Sequence, residues 1–251
     1  MNCLLCNSPT RFRFTHDHFN LYWCEYCDFG RLAGDFTPEQ VGVFYPENYY
    51  THKKTSDQQG KKLSLLDRAM LHLAWRCDSG ANINPSETTG KSVCDIGCGN
   101  GSNLRKFQQA GYRTIGVEPD PRARTVASDA GHIFSGTAED LPIDTKFDVV
   151  LMSHVLEHCI DPVLALRNAA SILNTNPNGS LIIEVPNNAA RSFNWFEGKW
   201  PWTDIPRHLS FFTEKSLGRI TSKIGLQIDK VIYVGYTRQF MPNWRTERSE
   251  E

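Results

Sequence analysis

What this sequence has little of narrows it before any motif is read. Its 251 residues set 27 Lys and Arg against 28 Asp and Glu, a formal net charge of −1. No overall field therefore favours nucleic acid or an anionic membrane as partner. No apolar run approaches the roughly 20 residues a spanning helix needs, and neither an internal repeat nor a low-complexity tract is evident. The first residues, Met1-Asn2-Cys3, open directly on a candidate ligand with no basic-then-apolar leader, so a soluble, cytoplasmic protein is expected. The length suits one sizeable α/β core with a small appendage.

Of the eight cysteines, four have spacing. Cys3-x-x-Cys6 and Cys24-x-x-Cys27 stand 17 residues apart, inside the range in which two knuckles close one tetrahedral zinc site. Four thiolates leave no open position, so Zn2+ here is expected to be structural. The alternative is a pair of disulfides, which fits a secreted chain better than one lacking a leader. His16 and His18 lie between the knuckles and are expected to be surface or packing residues. Cys77, Cys94, Cys98 and Cys159 have no paired spacing and read as small buried hydrophobes. Phe12-Arg13-Phe14 and Leu21-Tyr22-Trp23 alternate like two short strands around a turn.

The richest stretch is Val93-Cys94-Asp95-Ile96-Gly97-Cys98-Gly99-Asn100-Gly101. A β-type run ends in an acid and three alternating glycines, and a helix start follows at Ser102. Glycine permits the positive φ and close approach that a strand-to-helix turn around a ligand needs. The dinucleotide fingerprint G-x-G-x-x-G is missed, because position 102 is serine. Asp95 would repel a pyrophosphate but would attract the ammonium of an amino-acid-bearing cofactor, and S-adenosylmethionine fits that charge pattern. Glu118, closing the run Arg113 to Val117, stands where an acid accepts hydrogen bonds from ribose hydroxyls. The alternative is a tight turn with incidental acids.

From about Lys91 to Tyr233 the chain resembles a class I S-adenosylmethionine-dependent methyltransferase. The resemblance rests on Asp95 to Gly101, Gly116-Val117-Glu118-Pro119, Gly136-Thr137-Ala138-Glu139-Asp140-Leu141-Pro142, and Phe147-Asp148-Val149-Val150 running into His154-Val155-Leu156-Glu157-His158, in that order. It implies that Asp95, Gly97, Cys98, Gly99 and Gly101 flank the methionine part of the cofactor. It further implies that Glu118 holds the ribose, that Ala138 and Glu139 lie beside the adenine, and that Ser153 borders the same site. A Rossmann-like, doubly wound and mainly parallel sheet is the implied core, joined to a small amino-terminal zinc ribbon. Three parts are expected: ribbon 1–34, linker and helix 35–90, cofactor-binding domain 91–251.

Periodicity supports the alternation. Strands are predicted at 92–96, 113–117, 132–135, 147–152, 179–185 and 226–234, with helices at 102–110, 121–130, 161–173 and 213–224. A further helix is predicted over Leu63–Trp75, after a polar linker. The family sheet ends in an antiparallel hairpin, so the last strand is expected to be abbreviated or missing.

Methyl transfer to a hydroxyl or amine needs a base, and histidine titrates in the right range. Three histidines stand near strand ends: His154, His158 and His208. His208 is the preferred base and His154 its alternative; His154 and His158 also have a bracing or capping alternative. His208 belongs to an insertion, Asn187 to Phe212, rich in Trp and Phe. There Arg207 is read as a grip for phosphate or carboxylate and Trp202 as part of a pocket cover, with His158 beside them at the acceptor. The alternative is that the aromatics pack the loop down and Asp204 pairs with Arg207. Zinc-knuckle methyltransferases with a Pro-Arg-His-Leu segment resemble enzymes of secondary metabolism and cell-surface sugar pathways, which implies a sugar-bearing small-molecule acceptor. Two rivals remain: an RNA base methyltransferase, opposed by the balanced charge of residues 1 to 30, and a cofactor-binding protein without catalysis.

Overall fold

The computed structural model describes residues 1–45, 83–175, 179–200 and 202–234. The helix predicted over Leu63–Trp75 lies outside them. Two sheets organise the described chain.

The larger sheet is the core of the domain expected to bind the cofactor. Its strands are β4 (Ser92–Ile96), β5 (Arg113–Val117), β6 (His132–Phe134), β7 (Val149–Ser153) and β8 (Ser180–Glu184). They run in the order β6-β5-β4-β7-β8, every pair parallel. The chain winds outward from β4 to β6, then restarts on the other side at β7, which makes the carboxyl ends of β4 and β7 the switch point where such sheets hold ligands. β4 is buried along its whole length, as a central parallel strand covered on both faces must be.

The helices follow from their caps and apolar faces. Asp120 accepts the Arg122 amide ahead of α3 (Pro121–Ala127), and Asp161 accepts the Val163 and Leu164 amides ahead of α4 (Pro162–Ser171). Both helices begin with proline, whose missing N–H costs nothing there. In α2 (Ser102–Gln109) the buried side chains are Leu104 and Phe107, three apart and so on one face.

The strand predicted at 226–234 does not form. Past α6 (Glu214–Lys223) residues 225–234 join no ladder among the described residues, and Val231, Ile232 and Tyr233 are exposed. An alternating run becomes a strand only where a neighbour completes its hydrogen bonds.

The amino-terminal sheet holds β1 (Arg11–His16), β2 (Phe19–Cys24) and β3 (Phe29–Leu32), antiparallel throughout. Its fourth strand comes from far away: β9 (Ser210–Phe211) pairs with β3, Gly30 opposite Phe211. The insertion thus completes the ribbon. Phe193, Trp200 and Phe211 pack with Phe14, Leu21 and Leu32 in one apolar cluster, so these three aromatics of the insertion bury against the ribbon, while Trp195 and Phe196 are exposed. Phe193 lies at the centre of this cluster, with Phe14, Trp23, Trp200 and Phe211 all within about 6 Å of its ring. α5 (Arg191–Phe196) presents it.

Candidate active site

The glycine turn after β4 is shaped by backbone. Gly97, Gly99 and Gly101 all have positive φ, +68°, +53° and +79°, where a side chain is strained. A Cβ on Gly97 would lie 2.4 Å from a methyl of Val155, so the turn after β4 touches the loop after β7. Arg105 donates from Nη1 to the Asn100 carbonyl at 2.7 Å and fixes the turn from below.

Glu118 reaches this turn from β5. Its Oε2 accepts the Gly99 amide at 2.9 Å and its Oε1 the Asp120 amide at 3.0 Å. Burial raises its pKa, opposed by those two amides. Asp95 is buried on β4; desolvation, with Glu118 as a second like charge and Lys106 opposing, pushes it up to about 8. Two sequestered acids at one turn suit a ligand with a cationic end and hydroxyl donors, and they disfavour a pyrophosphate. Cys98 is buried in the same turn.

Three residues expected beside the cofactor, Ala138, Glu139 and Ser153, also have partners within the fold. Glu139 accepts the amides of Ile160 at 2.7 Å and Asp161 at 3.4 Å, bracing the loop after β7. Ala138 is buried, and the Asn168 side-chain amide donates to the carbonyls of Ala138 and Glu139. Ser153 donates its hydroxyl to Glu184 Oε2 at 2.7 Å. These side chains hold the site's walls together.

The three histidines do converge. His154 follows β7 directly with φ +55°, a conformation that costs a non-glycine residue on the order of 1–3 kcal/mol and is held by its surroundings. Its Nδ1 stands 3.2 Å from Glu157 Oε1, its Nε2 3.8 Å from Glu184 Oε1, and its ring stacks on Trp202 with centroids 6.1 Å apart. His158 ends a 3₁₀ turn, Leu156–His158; its Nδ1 is 2.9 Å from the Arg207 carbonyl and 3.0 Å from the Tyr45 hydroxyl. Burial lowers its pKa. The His208 ring meets His158 edge-on at 4.7 Å, and its Nε2 lies 3.6 Å from Asp204 and 3.9 Å from Glu157.

Exposure separates them. The His154 side chain is 37% exposed and that of His208 6%. Arg207 sets both Nε and Nη2 on Asp204 Oδ1, at 3.1 and 2.7 Å, so the pairing alternative holds and its guanidinium is engaged within the loop. Sequence reasoning passed over Glu157 as a functional group. It is 1% exposed at the centre of the histidines, and the His-x-x-Glu-His spacing was the signal that could have found it.

In the ribbon, one sulfur from each of Cys3, Cys6, Cys24 and Cys27 lies within 4.8 Å of the others. The Leu5 amide points at the Cys3 sulfur and the Cys27 amide at that of Cys24, both at 3.4 Å. Four converging sulfurs supported by amides are the donor set of a closed tetrahedral site.

A methyltransferase domain model matches residues 69–231, more than half of the sequence. This chain belongs to that methyltransferase domain family. Among curated relatives of this methyltransferase, a ubiquinone biosynthesis O-methyltransferase from Azorhizobium caulinodans is 38% identical over 112 residues, 41% of this chain and 44% of that protein. Another of the same name from Nitrosospira multiformis is 26% identical over 162 residues, 59% of this chain and 67% of that protein. The chain thus spans less than half the length of the first of these. Among solved structures, the SpnF cyclase superposes with a TM-score of 0.51 at 19% identity, covering 77% of this chain and 69% of that one. That likeness concerns the fold, and a cyclase on it shows that the scaffold does not dictate the reaction. No helix among the described residues is long and apolar enough to cross a membrane.

Proposed function

We propose that this protein is an S-adenosylmethionine-dependent methyltransferase that methylates a hydroxyl of a small, sugar-bearing molecule. The observation that carries the reading is His154: a strained, half-exposed imidazole between two carboxylates at the end of β7, beside a glycine turn lined by Asp95 and Glu118. The residues present fit the cofactor. Asp95 answers its ammonium, Glu118 its ribose hydroxyls, and the bare backbone of Gly97 and Gly99 allows close approach. When bound, S-adenosylmethionine supplies an electrophilic methyl group.

The chain's residues prepare the acceptor. Glu157 only accepts, so the 3.2 Å contact places the proton of a neutral His154 on Nδ1 and leaves Nε2, which stands 3.8 Å from Glu184 Oε1, as the lone-pair nitrogen that takes a proton from an acceptor hydroxyl. Trp202, stacked on that ring, covers it from water and offers a flat face to a sugar. The sequence favoured His208 as base; its burial supports giving the role to His154 and a supporting one to His208. The acceptor class draws on the relatives, whose names describe O-methylation of a small molecule, and on the resemblance carried by Pro206-Arg207-His208-Leu209. The four thiols hold one structural Zn2+.

Methyl-labelled cofactor incubated with the protein and panels of nucleotide sugars, glycosides and phenols, read by mass spectrometry, tests this. Label on a sugar-bearing product that is lost in His154→Ala supports the reading. Label on RNA alone, or on none of the panels in a cell extract, overturns it.

A further inference from the structure

We infer that Glu157, His158 and His208 form a second metal site, separate from the four thiols, which takes a divalent transition-metal ion of the zinc class. One ligand atom from each of the three lies within 4.8 Å of the others. They reach that point from two segments. Glu157 and His158 belong to the 3₁₀ turn after β7, and His208 to the insertion just before β9. The Leu209 amide donates to the Glu157 carbonyl at 2.8 Å and locks the segments together.

Two independent features point to a ligand. Glu157 is 1% exposed, and its Oε2 is buried without a hydrogen-bond partner among the described residues. A carboxylate oxygen in that position is costly unless a cation meets it. Its other oxygen, Oε1, faces both His154 Nδ1 at 3.2 Å and His208 Nε2 at 3.9 Å, so the carboxylate stands between the two imidazoles with one oxygen still unmatched. The second feature is the backing of His158. A carbonyl can only accept, so the Arg207 carbonyl at 2.9 Å fixes the proton of neutral His158 on Nδ1 and leaves Nε2 as a lone-pair donor. That outer hydrogen bond is the arrangement that metal-ligating histidines carry.

Two imidazoles and one carboxylate are a ligand set that zinc takes at reactive sites, with a position left for a small molecule. His154 shares Glu157 with this site, so a hydroxyl oxygen bound to the ion would be acidified next to the base. This last step rests on the proposed methyl transfer; the metal site itself does not.

The test uses the full chain, equilibrated with Zn2+, desalted and analysed for metal, then repeated with Co2+. The inference expects two ions per chain, of which Glu157→Gln and His208→Ala each lose one. The lost cobalt should carry the weak visible bands of nitrogen and oxygen ligands, while the intense thiolate charge-transfer bands persist and report an intact ribbon. One ion per chain in the wild type with a thiolate-only cobalt spectrum overturns it, as does a second ion that survives both substitutions. Methyl transfer is assayed in parallel: two ions without transfer would sink the proposed function and leave the site standing, whereas transfer by one-ion protein would do the reverse.

Discussion

Arg31, in the ribbon, donates from Nη2 to the carbonyl of Ile160, in the loop after β7, at 2.6 Å. Its Nη1 reaches the Cys159 carbonyl at 3.1 Å and Ser210 Oγ at 2.7 Å. One guanidinium therefore ties β3, β9 and the loop that carries His154, Glu157 and His158. Arg31→Ala should cost about 2–4 kcal/mol, from charge-assisted bonds of about 1.5–3 kcal/mol each with partial replacement by water. Thermal unfolding measures this; a melting temperature equal to wild type would show the tie to be idle. Arg31→Lys should recover little, because an ammonium cannot span both segments in a fixed fork.

Removing metal from the four thiols should release the ribbon while the parallel sheet stays folded, since that sheet has its own buried strands. Hydrogen exchange after chelation should show lost protection over residues 11–32 and 209–211 together, and little change in β4 and β7. Protection retained at β9 would mean that metal and strand pairing are independent.

Gly97→Ala should destabilise the protein by about 2–5 kcal/mol, combining the cost of a left-handed alanine with overpacking against Val155. Chemical denaturation checks the stability, and titration of the surviving folded fraction should show weakened cofactor binding.

Glu118→Ala removes the acceptor expected for two ribose hydroxyls. At about 1.5–3 kcal/mol for such bonds, calorimetry should find cofactor affinity lowered by roughly one to two orders of magnitude. Equal affinity would return Glu118 to the role of a turn brace for Gly99 and Asp120.

Asp95 gives the ligand-free protein a pH dependence of definite sign. Its folded pKa, about 8, exceeds the ordinary aspartate value of 3.8, so the folded state keeps a proton that the unfolded state has lost. Stability contributed by this group is full below pH 4 and falls as pH rises toward 8, by at most about 1.4 kcal/mol per pH unit. Asp95→Asn should flatten that fall. Affinity for an ammonium-bearing cofactor should rise over the same interval as the carboxylate ionises, and lose that rise in the variant; a pH-independent affinity in wild type would disprove the pairing.

Local pattern made the parallel core legible. β4 and β5 fall on the predicted residues because a buried run bounded by glycines has few other readings, and the cysteine knuckles announce themselves by spacing. Pattern could not show β9, a strand of two residues whose partner, β3, is joined to it by a hydrogen-bond span of 179 positions. Nor could it show that Phe193, Trp200 and Phe211 of the insertion bury against the ribbon, since aromatics serve a core or a pocket with the same letters. The run 226–234 alternates like a strand, but alternation does not supply a neighbour. Glu139 and Ser153 stand at family positions, and their side chains also meet the Ile160 amide and Glu184, partners visible only in three dimensions.

The pairing of β3 with β9 also sets an order of events during synthesis. The ribbon's first three strands leave the ribosome early, but the hydrogen-bonding edge of β3 stays open until residues 210 and 211 emerge, after all five strands of the parallel sheet have been made. That delay exposes an apolar edge next to nascent neighbours. Closure of so distant a contact waits on residues 210 and 211 whatever has folded before them, so the finished amino-terminal ribbon records that translation has passed the last histidine of the site.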